Sequence, residues 1–285
     1  MVQITGTTKL LGVMGNPVAH SLSPLMQNVA LESLNLDYCY LPLEIKPELL
    51  SQAVAGLRAL GLQGFNVTIP YKEQIIACLD KVDDEALLIG AVNTVVNHEG
   101  KLVGYNTDGR GFLRSLAEEW DLGLYGEQVV VLGAGGAARA IVSALASAGA
   151  SKITIANRNV ERGLLLKADL EQHYPCKIAV VDLSEGELDR ELAASHLVVQ
   201  TTPVGMYPHA GDATIIEPTR LRKDSYVYDI IFNPPETRLL QGAKEQGCRT
   251  ANGLGMLLHQ GALSFEYWTG IEAPVKLMRQ ALLER

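Results

Sequence analysis

The sequence predicts an α/β protein of two domains: an N-terminal α/β domain with a mainly parallel, mixed sheet, and a second domain of Rossmann type. Three observations predict it. The chain has 285 residues, more than one ordinary core organises. Short β-rich runs alternate with helical stretches of ten or more residues, the pattern of parallel strands covered by helices. Partway along, a strand runs into a glycine-rich turn and an alanine-rich helix, and a second alternating series begins there.

The elements follow in order. KLLGVMG (9–15) reads as a strand and SPLMQNVALESL (23–34) as a helix. YCYLPLEI (38–45) is strand-like, ELLSQAVAGLRAL (48–60) helical, and LQGFNVTIP (62–70) a third strand. Residues 91–108 read as two strands around a turn containing Gly100, which adds an antiparallel member. A boundary is expected near Asp108–Gly111, before a helix over 111–120. The second series is EQVVVLGAGGAARAIVSALASAGA (127–150), KITIANR (152–158), a helix through Asp169, then strands at 177–183, 196–203 and 225–232. Two helices, 253–268 and 274–284, close the chain and are expected to fold back onto the first domain. The domains are thus 1–108 plus about 248–285, and 109–247.

Composition narrows the function classes. Apolar residues make up 47% and charged residues 20%, which suits two sizeable cores and not a disordered chain. The net charge of −8 argues against nucleic acid or an anionic membrane surface as a partner. No apolar run approaches roughly 18 residues, so no membrane helix is expected, and the N-terminus has no signal-peptide pattern. Cysteines 39, 78, 176 and 248 form no C-x-x-C pair, and the six histidines are scattered. Reduced thiols in a cytoplasmic protein and no metal site are the expectation.

VVVLGAGGAARA carries the most specific local motif. Gly133, Gly135 and Ala138 match G-x-G-x-x-G/A after a strand and at the start of a helix. The glycines permit a tight turn and close approach to a pyrophosphate, and the helix N-terminus supplies N–H donors. The next strand ends in Asn157-Arg158, followed by Asn159 and Arg162, with no acid at its tip. A carboxylate there would repel a 2′-phosphate, whereas arginine attracts it, so the pattern favours NADP over NAD by about one to two decades. The bland alternative is solvated arginines at a helix start.

NVTIPYK (66–72) puts an amide, a hydroxyl and an ammonium near one strand end, with Lys72 at an expected helix start. GYNTDG (104–109) ends another strand with Asp108. Ligands bind at the carboxyl ends of strands in such sheets. Facing each other, Lys72 and Asp108 make a proton-handling pair; apart, they are ordinary surface charges. HSLSP (20–24) offers Ser21 and Ser23 after the first strand, as ligands of a polyol or carboxylate or, for Ser23, as a helix N-cap. G-x-S-x-G is absent, and GVMGNP lacks the G-K-[ST] of a P-loop.

Together GNPVAHSLSP, NVTIPYK, GAVNTVV, GYNTDG, GAGGAARA, NR-x₃-R, TTPVGM and NGLGMLLHQGA resemble, in order and spacing, the shikimate dehydrogenase family over nearly the whole chain. The resemblance implies reversible reduction of the 3-ketone of 3-dehydroshikimate by NADPH, in a substrate domain and an NADP-binding domain with the substrate in the cleft between them. It implies Lys72 and Asp108 as the catalytic pair. Ser21, Ser23, Thr68, Asn93, Asp108 and Gln260 become ligands of the substrate, with Asn66 structural. Gly133, Ala134, Gly135, Gly136 and Ala137 become the pyrophosphate loop, and Asn157, Arg158 and Arg162 the adenosine and 2′-phosphate clamp. Ile230 and Gly253 fall near the nicotinamide, and Asp84 matches a weaker cofactor contact. Two departures stand out: Asn159 replaces the usual Thr or Ser, and Phe232 stands where the family commonly places a substrate-reaching tyrosine. The alternatives are a quinate/shikimate dehydrogenase that also accepts NAD, and a non-catalytic NADP-binding sensor. The resemblance leaves the assembly open as a monomer or homodimer.

Overall fold

The structure is a computed structural model and describes residues 4–184, 186–207 and 214–284. The chain divides into two compact units, Met1–Gly111 with Leu257–Arg285, and Phe112–Met256.

In the first unit β1 (Lys9–Gly15), α1 (Ser23–Ser33), β2 (Tyr38–Glu44), α2 (Leu50–Ala59) and β3 (Gly64–Val67) form the parallel part of a sheet. A 3₁₀ turn, Gln74–Cys78, leads to the short β4 (Lys81–Val82) and α3 (Asp84–Ile89). β5 (Thr94–His98) and β6 (Lys101–Tyr105) form a hairpin. Its turn holds Glu99 and Gly100, both at positive φ, the geometry that matches strand twist. The sheet order is β2-β1-β3-β5-β6-β4, with β5 antiparallel to both β3 and β6. β3 lies inside this sheet and is buried at every residue, Asn66 included. Phe65, Val67, Tyr71 and Ile75 pack with Leu50, Val54 and Leu57 of α2 in the core of this unit. Burying each of the large side chains stabilises the unit by about 1.5–3 kcal/mol.

α4 (Asp108–Glu119) carries the chain into the second unit. There β7 (Gln128–Leu132), α5 (Gly136–Ser147), β8 (Lys152–Ala156), α6 (Val160–Leu170), β9 (Lys177–Val181), α7 (Glu187–Ala194), β10 (Leu197–Gln200), β11 (Tyr226–Asp229), α8 (Arg238–Glu245) and β12 (Arg249–Asn252) alternate. The sheet is wholly parallel in the order β12-β11-β10-β7-β8-β9. The strand order reverses between β7 and β10, which places a ligand crevice at the carboxyl end of β7. α9 (Leu254–Thr269) and α10 (Val275–Leu283) return the chain to the first unit, where α10 packs on α1.

Arg249–Asn252 extends the parallel sheet beside β11, and the second stretch of the first unit begins at Leu257. One expectation shifts: the helix expected over 111–120 already starts at Asp108. Among the described residues no helix is long and apolar enough to cross a membrane. All four cysteines are free thiols.

Candidate active site

Chain connections bring three polar stretches to one edge of the first sheet. Thr68 donates its N–H to the carbonyl of Met14, and Asn16 donates to that of Ile69, so the loops after β1 and β3 run side by side. Val67 donates to the carbonyl of Asn93, and Val92 to that of Lys72 (2.7 Å), which ties the lead of β5 to the same place.

Lys72 and Asp108 meet there. Lys72 Nζ lies 2.5 Å from Asp108 Oδ2, and their side chains are 16% and 4% exposed. The expected helix start belongs to the other partner. Lys72 sits in a turn ahead of the 3₁₀ segment, whereas Asp108 is the first residue of α4, where a carboxylate meets the positive end of the helix dipole. Asn106 Oδ1 accepts from the Asp108 N–H at 3.0 Å. Asn93 Nδ2 donates to Asp108 Oδ1 at 2.9 Å, so each carboxylate oxygen has its own donor. Asn93 also reaches Gln260 Oε1 on α9 at 3.3 Å, while Gln260 Nε2 bonds the Leu257 carbonyl of its own helix.

Ser23 does not cap α1. It is the first helical residue, and its N–H is accepted by Ser21 Oγ at 3.3 Å. Thr68 is half-buried at the end of the β3 run. Asp84 lies exposed at the start of α3, whose N-cap is Asp83. Sequence reasoning missed four polar side chains beside the pair: Thr94, Asn106, Thr107 and Ser264, all buried. A signal existed. VNT (92–94) and YNTD (105–108) place Asn-Thr pairs at strand ends, as NVT (66–68) places Asn and Thr two apart.

In the second unit the glycine turn follows β7. Gly133 has φ +116°, and a Cβ there would lie 2.5 Å from Thr201 Oγ1. Gly135 differs: it precedes α5 with extended backbone, and a Cβ there would meet nothing within 4 Å. Neither its dihedrals nor its neighbours require glycine, so the open space suits a ligand that approaches the backbone. Ala134 is buried, and Gly136 and Ala137 open α5, in the first turn, where N–H groups have no partner within the helix. At the tip of β8, Asn157 donates to the Asn159 carbonyl (2.7 Å), and Asn159 Oδ1 caps α6 through the Arg162 N–H. Asn159 is therefore engaged as an N-cap. Arg158 and Arg162 are exposed at the same helix start. Ile230, half-buried, donates to the Gln200 carbonyl, and Phe232 is half-buried in the loop beyond it. Gly253 has no room for a side chain against the Ile230 carbonyl. The ends of β7, β10, β11 and β12 thus carry the expected loop, Thr201, Ile230 and Gly253 along one sheet edge. These residues fit a dinucleotide.

A Rossmann-type unit with such a turn, in one chain with a unit bearing a buried Lys–Asp pair, defines a two-unit α/β protein of the dinucleotide-binding oxidoreductase class. Family models match residues 13–95 (shikimate dehydrogenase substrate binding domain), 115–208 (shikimate / quinate 5-dehydrogenase) and 253–283 (shikimate 5'-dehydrogenase C-terminal domain). The shikimate dehydrogenase (NADP(+)) of Methanopyrus kandleri is 47% identical over 99% of this chain and 98% of its own. Shikimate 5-dehydrogenase from Listeria monocytogenes, solved with shikimate and NAD, superposes with a TM-score of 0.89 at 42% identity, covering 98% of each chain. The Thermus thermophilus enzyme, solved with NADP(H) and shikimate, gives 0.86 at 36% identity, covering 97% of this chain and 99% of its own. This chain belongs to the shikimate dehydrogenase family.

Proposed function

We propose that this protein is an NADP-dependent shikimate dehydrogenase, interconverting 3-dehydroshikimate and shikimate on the route to chorismate and the aromatic amino acids. Family membership supports the reaction, and one observation carries the site: the Lys72–Asp108 pair, held at 2.5 Å at the strand ends of the first unit. When bound, NADP(H) supplies the hydride to the ketone carbon or takes it back. The residues of the chain handle the rest. Lys72 Nζ donates a proton to the substrate oxygen during reduction and accepts it during oxidation. Asp108, bonded to Lys72 through Oδ2 and to Asn93 through Oδ1, fixes the direction of the ammonium. Ser21, Ser23, Thr68, Asn93 and Gln260 hold the substrate carboxylate and hydroxyls. Phe232 supplies shape without the hydroxyl of a tyrosine, a loss of about 0.5–1.5 kcal/mol in affinity.

The loop from Gly133 to Ala137 holds the pyrophosphate, Ile230 and Gly253 border the nicotinamide, and Arg158 with Arg162 and Asn157 receives the 2′-phosphate. Asp84 contributes a weaker cofactor contact. A cytoplasmic location is part of this reading, supported by four free thiols, which suit a reducing compartment. The test is absorbance at 340 nm with shikimate and NADP⁺. The expected result is shikimate-dependent reduction, with kcat/KM for NADP⁺ at least tenfold above that for NAD⁺ and about that much preference lost in Arg158→Gln. No absorbance change with shikimate would sink the dehydrogenase reading and favour a sensor. Equal use of NAD⁺ and of quinate would support the broader quinate/shikimate enzyme.

A further inference from the structure

Behind Asp108 lies a chain of buried hydrogen bonds whose direction can be read atom by atom. Asn93 Oδ1 accepts the backbone N–H of Thr107 at 2.8 Å. A backbone N–H can only donate, so the amide orientation is fixed, and Nδ2 is the end that faces Asp108. Asn66 is fixed likewise: Nδ2 donates to the backbone carbonyl of Asn93 (3.0 Å), and Oδ1 accepts from the Tyr40 hydroxyl (2.7 Å). Between these two amides stand two hydroxyls, Thr94 Oγ1 and Ser264 Oγ, 2.7 Å apart. Asn66 Nδ2 donates toward both, at 3.2 and 3.0 Å. Thr94 donates its proton to Asn93 Oδ1 at 3.0 Å. Thr94 is fully buried, as are Ser264 and Thr107, so water does not compete for these groups.

The chain therefore runs one way, from Tyr40 through Asn66 and the hydroxyls to Asn93 and the Asp108 carboxylate, where Lys72 meets it from the other side. Aligned bonds of this kind polarise and stiffen one another. We propose that Thr94 and Ser264 are positioning residues of the catalytic pair: they hold the Asn93 amide so that its N–H fixes Asp108, and Ser264 couples α9 to that setting. The proposal rests on the reading of Lys72 and Asp108 above. Neither hydroxyl touches the reacting atoms, so both act through Asn93.

Thr94→Val tests this, since it keeps the shape and strands no buried group. Asn66 Nδ2 retains the Asn93 carbonyl, and Ser264 Oγ, no longer donating to Thr94, turns its one proton to the Gln260 carbonyl at 3.0 Å. The expected result is a kcat about 10- to 100-fold below wild type, the effect of a sub-ångström misplacement, with NADP⁺ affinity by calorimetry unchanged. Thr94→Ser should restore kcat to within about threefold of wild type. In an Asp108→Asn background Thr94→Val should lower kcat no further, because the group it positions has already lost its charge. A Thr94→Val enzyme within twofold of wild-type kcat, or an equal loss in both backgrounds, overturns the proposal. Should Thr94→Val not fold, Ser264→Ala decides: a several-fold fall in kcat supports the proposal, and wild-type kcat overturns it. An inactive wild type would instead count against the dehydrogenase reading itself.

Discussion

At the scale of single residues, Lys72 and Asp229 give the sharpest expectations. Lys72→Ala should lower kcat about 10²- to 10⁴-fold with little change in KM, the range of a lost acid–base group. Lys72→Arg separates two roles. Arginine keeps the positive charge and can pair with Asp108, but it does not release its proton. We expect the arginine enzyme to be no more than threefold better than the alanine one; rescue by more than tenfold would make Lys72 an electrostatic clamp. Asp229, fully buried at the end of β11, accepts from Ile231 N and Thr237 Oγ1. Burial outweighs those bonds and pushes its carboxyl up to about 6 from 3.8. A raised folded-state value means that the fold favours the protonated form. Its contribution to stability is complete below 3.8 and is lost as the pH rises through about 6. The swing is on the order of 3 kcal/mol, at 1.36 kcal/mol per unit. In urea titrations, wild-type stability relative to Asp229→Asn should fall by that order between about pH 4 and about pH 7.5. A difference that stays flat would show that Asp229 does not titrate in this window.

At the scale of elements, the turn between β7 and α5 separates two uses of glycine. Gly133→Ala places a Cβ against Thr201 Oγ1 at φ +116°, so it should cost about 1–3 kcal/mol of stability and weaken NADP⁺ binding as well. Gly135→Val fills open space on extended backbone, so thermal unfolding of the free protein should hold while NADP⁺ affinity falls at least tenfold. Equal losses of stability in both variants would remove the distinction. The turn was legible because its glycines follow a strand and precede a helix in a fixed spacing. The surroundings of Lys72 were less so. Pro70 and the residues after it suggested a helix start, yet Tyr71 donates to the Thr68 carbonyl and the chain closes a turn, leaving the helix N-terminus to Asp108. Local propensity cannot tell which of two strand ends a helix follows when both carry turn formers. The hydrogen-bond chain behind Asp108 was hidden for a related reason. Asn66, Thr94 and Ser264 lie far apart in sequence, and only the antiparallel placement of β5 against β3 and the return of α9 bring them together.

At the scale of the whole molecule, periodicity disclosed the two α/β series, because strands buried on both faces must be apolar and helices must show one apolar face. It did not disclose strand order, nor that β12 belongs to the second sheet, since a short strand such as Arg249–Asn252 carries too few residues to show a period. The first unit is built from two separate stretches of chain. Trp268 of α9 donates to the Val95 carbonyl at 2.9 Å, and Gly64 in β3 has no side chain because the indole occupies that space. A chain ended after Gly253 should therefore lose cooperative unfolding of the first unit in near-UV circular dichroism and lose shikimate binding. Retention of both would show that α9 and α10 are dispensable.

The indole seated over Gly64 also gives assembly an order in time. On the ribosome every strand of both sheets emerges before Trp268 does. A growing chain therefore carries an open slot at the middle of its first sheet until α9 arrives. Translation that stops short of this tryptophan leaves a first sheet complete in its strands but without the indole over Gly64.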